Sequence, residues 1–184
     1  TEKYGVVHPT KAGLKIPEIF DSAINKEVKA VWIIGEDIVQ TDPNSRHVID
    51  AMNSLELLVV QEIFMSETAK LATVVLPGTT FLEKDGTFTN TERRIQRVNK
   101  AVEPLPGTKP DGVIVTDMMQ KLGFNQPDYN ADQVLAEIAD VVPFFKGVTR
   151  ERLGKFGLQW PVQEDGTDTQ ILHKETFKLG KGRL

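Results

Sequence analysis

The sequence predicts an α/β fold, a Rossmann-like parallel sheet flanked by helices, with a loop-rich C-terminal extension. Three observations support this fold class. Residues 28–34, 57–60 and 73–76 are short, nearly continuous apolar runs rich in β-branched residues, which is typical of buried parallel strands. Segments with helical periodicity separate these runs. The connections are short, as in a wound sheet whose right-handed crossovers place helices on its faces.

The helical segments follow from apolar spacing and from their start and stop residues. Between residues 13 and 28, apolar side chains recur mostly at i, i+3 and i+4 positions. The turn at residues 42–45 predicts the start of a second helix, and Ser66 is a candidate cap for a short third one. The dipeptide at 77–78, Pro-Gly, ends the third predicted strand.

The chain changes character after the third strand. Residues 78–98 are rich in Gly, Thr and charge, which predicts a long functional loop carrying a short hairpin of 86–90 against 94–98. Apolar periodicity predicts two further helices, at 112–122 and 132–141.

Two functional regions are expected from this order of elements. Residues 1–125 would form a dinucleotide-binding α/β domain, and residues 126–184 a helical and loop-rich extension. Beyond residue 143 the sequence predicts only short elements and loops.

Composition excludes several classes of function. The 184 residues carry a net charge of -4 and include no cysteine, so no disulfide, thiolate zinc site, Cys-held iron–sulfur cluster or Cys nucleophile can form from this chain. The mildly acidic balance argues against a nucleic-acid partner. No apolar run approaches the roughly 20 residues that span a bilayer, so membrane insertion is not expected. The three histidines lack metal-ligand spacing, and no nucleophile motif is present, so we expect neither a metal site nor a catalytic constellation.

Polar clusters follow each predicted strand, where ligands bind to open parallel sheets. They include Asp37 after the first strand and Gln61-Glu62 after the second. Glu62 suits an acceptor for ribose hydroxyls, with a solvated acid as the alternative. No Gly-x-Gly-x-x-Gly or Walker A loop is present, so a nucleotide would be held by side chains and by the loop after the third strand.

Charged residues in that loop leave two interpretations open. Lys84 lies between two acids, so it could contact a phosphate or form a surface salt bridge. Arg93 and Arg94 point to opposite faces of an extended chain, so at most one would face the ligand. Both could instead tie the loop to nearby acids.

The residues from 59 to 109 resemble the molybdopterin oxidoreductases, and specifically the large subunit of formate dehydrogenases. The resemblance rests on Val-Val-Gln-Glu-Ile-Phe-Met-Ser-Glu-Thr-Ala from Val59, on Glu-Lys-Asp-Gly-Thr-Phe-Thr-Asn-Thr-Glu-Arg-Arg-Ile-Gln from Glu83, and on Gly-Thr-Lys-Pro-Asp ending at Asp111. It extends to similar segments at 33–37, 74–77, 157–161 and 177–183, and so covers roughly residues 12 to 183. Related enzymes such as nitrate reductases share the motif at 83–97.

The resemblance implies a cofactor and a set of contacts. The family holds molybdenum or tungsten between two copies of molybdopterin guanine dinucleotide, and the matching segment is its third, dinucleotide-binding domain. The implied contacts are Glu62 with ribose, Lys84 with a phosphate and Asp111 with the guanine edge, together with Asp37 and Gln61. One position departs from the family, which often has Asp where this chain has Thr73.

The resemblance also implies a fragment that is not catalytic alone. In the family, the metal-ligating Cys or selenocysteine and the cluster cysteines precede this segment, and this chain starts at Thr1 without a methionine. The expected partners are the remaining domains of the parent subunit and its electron-transfer subunits. Without a signal-peptide pattern, the expected location is the cytoplasm. The alternatives are a non-catalytic homologue such as the large subunit of respiratory complex I, another enzyme of the family such as a nitrate reductase, and a free-standing nucleotide-binding protein.

Overall fold

A computed structural model describes residues 3–7, 9–177 and 180 of the chain. Only the first residue and Gly180 of the family-like segment 177–183 therefore lie within the described residues. The chain divides into two compact units, Thr1–Gly78 and Thr79–Leu184, and each is described by itself.

The first unit is a three-stranded parallel sheet with helices, as the apolar runs predict. The strands lie in the order β1-β2-β3, and all neighbours are parallel. Ser66 caps its helix as expected, since its hydroxyl accepts a hydrogen bond from the Ala69 amide at 3.2 Å. The elements of this unit are α1 (Ile16–Ile24), β1 (Ala30–Ile34), α2 (Ile38–Thr41), α3 (Ser45–Ser54), β2 (Leu57–Glu62), α4 (Glu67–Lys70) and β3 (Val74–Pro77).

The helices of this unit share one core with alternate residues of the sheet. Leu58 and Val60 of β2 are 1% and 0% exposed, and they pack with Val48 and Ala51 of α3 and Phe20 of α1. Burying each large apolar side chain contributes roughly 1.5–3 kcal/mol, so this packing fixes where the strand ends lie. The opposite face of the sheet departs from the expectation of cover on both sides, because several of its apolar side chains remain exposed.

The second unit is built on an antiparallel sheet, in the order β4-β5-β6. The predicted hairpin is present, with residues 86–89 paired to 95–98. The elements are a 3-10 helix (Phe81–Glu83), β4 (Gly86–Thr89), β5 (Arg94–Val98), α5 (Asp111–Lys121), α6 (Ala131–Val141), a second 3-10 helix (Pro143–Phe145), α7 (Arg150–Leu153) and β6 (Leu158–Gln159).

Residues 148–162 are largely irregular, but they contribute to a packed core. Val148, Leu153 and Val162 are each 1% exposed and form a second core with Ile95 and Leu135. The division between the compact units falls at residues 78/79 of the sequence, whereas the predicted functional boundary at 125/126 falls inside the second unit. No helix in the described part of the chain has the length and apolar character needed to cross a membrane.

Candidate functional site

The carboxyl edge of the first sheet carries three of the five predicted site residues. Gly35 turns the chain after β1 with φ +65°, and its amide donates to the Gln61 carbonyl at 2.8 Å. The Gly78 amide after β3 likewise donates to the Glu62 carbonyl at 3.0 Å. Parallel pairing therefore brings Asp37 to the same edge as Gln61 and Glu62, although it is far from them in sequence.

The Asp37 carboxylate is engaged by α2 and α4. One oxygen accepts from the Thr68 amide at 3.0 Å and from the Thr68 hydroxyl at 2.6 Å. The other accepts from the Gln40 side-chain amide at 2.8 Å and from the Glu67 amide at 3.3 Å. A carboxylate offers about four lone-pair positions, so these donors use its acceptor capacity. Asp37 thereby ties the end of β1 to the start of α4.

The charged form of Asp37 is favoured by this arrangement. Burial alone would raise the pKa of Asp37, but the hydrogen bonds from Thr68, Glu67 and Gln40 outweigh it and hold the pKa below its ordinary value of 3.8. The Thr68 hydroxyl also accepts from the Val39 amide at 3.1 Å, so one buried side chain links α2, α4 and Asp37.

Gln61 and Glu62 differ in what they offer a ligand. Gln61 is 1% exposed, so its side chain is covered within the chain. Glu62 is half-buried, and one of its carboxylate oxygens accepts from the Ile63 amide at 2.7 Å. The second oxygen has no partner among the described residues, so Glu62 keeps acceptor capacity at the sheet edge.

The other two predicted residues, Lys84 and Asp111, form an ion pair in the second unit. The Lys84 ammonium contacts the Asp111 carboxylate and also donates to the Thr79 carbonyl at 3.2 Å. The two side chains are 22% and 39% exposed. Asp111 is the first residue of α5, where the partial positive charge of the helix end stabilises a carboxylate. The sequence does not predict that these residues pair with each other.

A cavity of about 270 Å³ adjoins this ion pair. Lys84, Asp111 and Tyr129 are among its polar lining residues, and Phe88 and Ile138 belong to its apolar lining. Burial and then the charge of Asp111, followed by those of Asp132 and Asp85, raise the pKa of Tyr129, so its phenol stays protonated and can donate. The cavity thus combines a cation, carboxylates and aromatic side chains.

In the structure both arginines make contacts within the second unit, and Arg94 pairs with a nearby acid as the structural alternative predicts. The Arg93 guanidinium lies over the Trp160 ring at 5.9 Å, contacts the Trp160 carbonyl and donates to the Thr169 carbonyl at 3.1 Å. Arg94 donates to Glu92 at 2.9 Å. Both side chains hold the loop within the second unit.

Two further residues contribute to these arrangements, and sequence reasoning missed them. Thr68 was not identified because the sequence around it indicates only the helix cap at Ser66. Nothing in that local pattern predicts a hydrogen bond to a residue 31 positions away. Tyr129 lies in a polar segment before α6, and an aromatic residue in such a loop is the signal that could have identified it. Thr73, the departure from the family, has a structural contact, since its hydroxyl accepts from the Leu58 amide at 3.0 Å.

Comparisons with known proteins indicate the family of this chain. Residues 7–121 match the family described as molybdopterin oxidoreductase. The chain is 45% identical over 175 residues to the F420-dependent formate dehydrogenase subunit alpha of Methanocaldococcus jannaschii, a match that covers 94% of this chain and 26% of the relative. It is 43% identical over 183 residues to a protein of Staphylococcus aureus named as a candidate formate dehydrogenase, covering 99% of this chain and 19% of the relative.

A solved structure shares the fold. Acetylene hydratase from Pelobacter acetylenicus superposes with a TM-score of 0.61 at 18% identity, over 83% of this chain and 23% of that chain. The chain therefore spans about a quarter or less of the length of each of these proteins.

Proposed function

Since the chain belongs to the molybdopterin oxidoreductase family, we propose that it is part of the cofactor-binding region of a formate dehydrogenase catalytic subunit. The observation that carries the proposal is the identity of 43–45% to two proteins named as formate dehydrogenases, over 94–99% of this chain. The proposed binding region is residues 1–125, which contains all five predicted contacts.

The ligand we propose is molybdopterin guanine dinucleotide, and the residues of the second unit fit its chemistry. An ammonium such as that of Lys84 suits a pyrophosphate oxygen, and a carboxylate such as that of Asp111 can accept two hydrogens from a guanine edge. The cavity beside them has an aromatic wall and an apolar lining that suit a planar base.

The contacts of the first unit are proposed with unequal roles. Glu62 has a carboxylate oxygen available for a ribose hydroxyl. Gln61 is covered, so it would contact the ligand only after a neighbouring group moves. Asp37 is saturated by donors from the chain, so we propose that it positions α2 and α4 at the sheet edge.

When bound, the cofactor would supply a molybdenum or tungsten centre for the two-electron oxidation of formate. This chain has no cysteine and contributes no thiolate to that metal, so we propose that it binds the nucleotide portion and is not catalytic alone. Within the described residues, no group of three His, Asp or Glu side chains is arranged to hold a metal ion. The proposed partners are the remaining domains of a longer subunit and electron-transfer subunits, in the cytoplasm.

Lys84→Ala in the longer parent enzyme tests the proposal. Loss of the charged contact should weaken phosphate binding by roughly 1.5–3 kcal/mol, or about tenfold or more. We expect less guanine nucleotide after acid extraction and less metal by mass spectrometry, with an unchanged circular dichroism spectrum.

Lys29→Ala is the matched control, because Lys29 forms an exposed ion pair with Glu56, with side chains 64% and 68% exposed. That variant should keep full cofactor content. Full cofactor content in Lys84→Ala would show that Lys84 makes only a structural contact in the loop. A wild-type parent that contains no pterin nucleotide would overturn the proposed function itself.

A further inference from the structure

The three-stranded sheet of the first unit has one covered face and one open face. Ile33, Leu58 and Val60 point to the core shared with α1–α4. Neighbouring residues along each strand point the other way. On that opposite face Ile34 is 50% exposed, Leu57 39% and Val74 42%. The open face also includes Trp32, Val59 and Leu76, which are half-buried.

Side chains on this face form rows across the strands. The register aligns Trp32 with Val59 and Val74, and it aligns Ile34 with Gln61 and Leu76. The surface is mostly apolar and partly exposed, and it is interrupted at Gln61, which is 1% exposed, whereas parallel sheets are found with both faces covered. A patch of this kind marks an interaction surface.

The handedness of the connections explains why the helices cover one face only. The strands follow one another in chain order across the sheet, so successive right-handed crossovers run in the same direction and place their helices on the same side. Helices on the open side would come from crossovers that run in the opposite direction, as in the second half of a doubly wound sheet.

The edge of β1 that lies away from β2 gives a second indication of what covers the open face. The helix α1 leads into β1 and packs on the covered face with α3. A right-handed crossover through α1 would place its preceding strand beside β1, on the side away from β2. Within the described residues no strand precedes α1 or pairs with that edge of β1.

From these observations we infer that the open face and the free edge of β1 are an internal docking surface for a further α/β segment of the same longer polypeptide. That segment adds a parallel strand to β1 and covers the open face with apolar helix surfaces. This inference rests on the proposed function, in which the chain belongs to a subunit about four to five times its matched length, since the match covers 26% and 19% of the relatives. A second copy of this chain fits less well, because parallel sheets are covered by helices and not by another parallel sheet.

The absence of cysteine from this chain permits a direct test by single-cysteine labelling. Ile34→Cys and Val74→Cys place a thiol on the open face. Ile24→Cys, at a residue of α1 that is 38% exposed, is the matched control on the helical side, and Val60→Cys is the buried reference. Maleimide labelling rates are read by peptide mass spectrometry, both in the 184-residue chain and in the longer parent.

In the isolated chain we expect the thiols at 34, 74 and 24 to react at similar rates and the thiol at 60 to be protected. In the parent, the rates at 34 and 74 should fall by about tenfold or more, because reaction then requires local opening, while position 24 stays within about threefold. Unchanged rates at 34 and 74 in the parent would overturn the inference. Protection in the isolated chain that rises with concentration, together with a dimer by sedimentation, would also overturn it in favour of a second copy.

The nucleotide content of the same parent preparation separates this inference from the proposed function. A parent that carries pterin nucleotide but leaves 34 and 74 reactive contradicts the docking surface alone. Protection of both positions in a parent without pterin nucleotide contradicts the proposed function alone. Should the isolated chain not fold, its thiol at 60 will react, and the four positions compared within the parent then decide the outcome.

Discussion

Asp37 shows how a residue can lie at the expected place and still have another role. Its position after β1 is predictable, because a parallel sheet brings its strand ends to one edge. The use of all its acceptor positions is not predictable, because the decisive donors come from Thr68 and Glu67 in a different helix. A local sequence pattern holds no information on which lone pairs a distant element will use.

Replacing Asp37 with Asn should destabilise the chain by about 1–3 kcal/mol, because the charge and one acceptor oxygen are lost while the donors of the buried Thr68 remain. Urea denaturation at neutral pH measures the change. Asp50→Asn is the control, since Asp50 makes a 3.8 Å ion pair between exposed side chains, and that variant should change stability by less than about 0.5 kcal/mol. Equal stability of both variants would show that the Asp37 network is dispensable.

The lowered pKa of Asp37 also gives a pH dependence with a definite sign. A carboxylate with a lower pKa in the folded chain stabilises the fold above its unfolded value near 3.8, and this contribution is lost as pH falls through the folded pKa. The wild type should therefore lose more stability than Asp37→Asn below about pH 4. Parallel stability curves for the two proteins in that range would contradict the assignment.

At the scale of elements, the strands and longer helices follow from periodicity, but α2 and the C-terminal packing do not. α2 has four residues, too few to show a helical repeat. Val148, Leu153 and Val162 come from separate short segments, so the core they form with Ile95 arises from contacts that no local window contains. The hairpin of β4 and β5 was predictable because its signal is local.

The C-terminal segments approach each other closely at Gly147. A Cβ atom there would lie 1.6 Å from the backbone carbonyl oxygen of Gln163, so the two segments cannot keep their spacing with a larger residue. We expect Gly147→Ala to lower the free energy of unfolding by about 1–3 kcal/mol through overpacking. Thermal or urea unfolding is the measurement. Gly13→Ala is the control, because nothing lies within 4 Å of its added Cβ, and a similar loss in both variants would rule out the close approach as the cause.

At the scale of the whole molecule, fold class and family were predictable because they rest on many residues at once. The site was predictable only in part. Lys84 and Asp111 were identified singly, but their pairing depends on how the second unit folds. The cavity beside them depends on Tyr129, which contributes to no periodic pattern.

The isolated chain should not oxidise formate, because it has no cysteine to ligate the metal. Formate-dependent reduction of a redox dye by the purified chain is the measurement, with heat-treated chain as the blank and the intact parent as the positive control. Dye reduction above the blank would contradict the assignment of the chain as a cofactor-binding part of a larger enzyme.

The Lys84–Asp111 contact has a consequence for how a nucleotide would enter. If Lys84 and Asp111 bind the nucleotide as proposed, loading would be an exchange of partners, because the two charges are already joined. Lys84 would replace one anion with another, and Asp111 would replace an ammonium with an N–H edge. Fewer mobile counterions are released than when a bare lysine captures a phosphate. Association should therefore depend only weakly on ionic strength, and the speed of loading would be governed by how fast one internal bond opens.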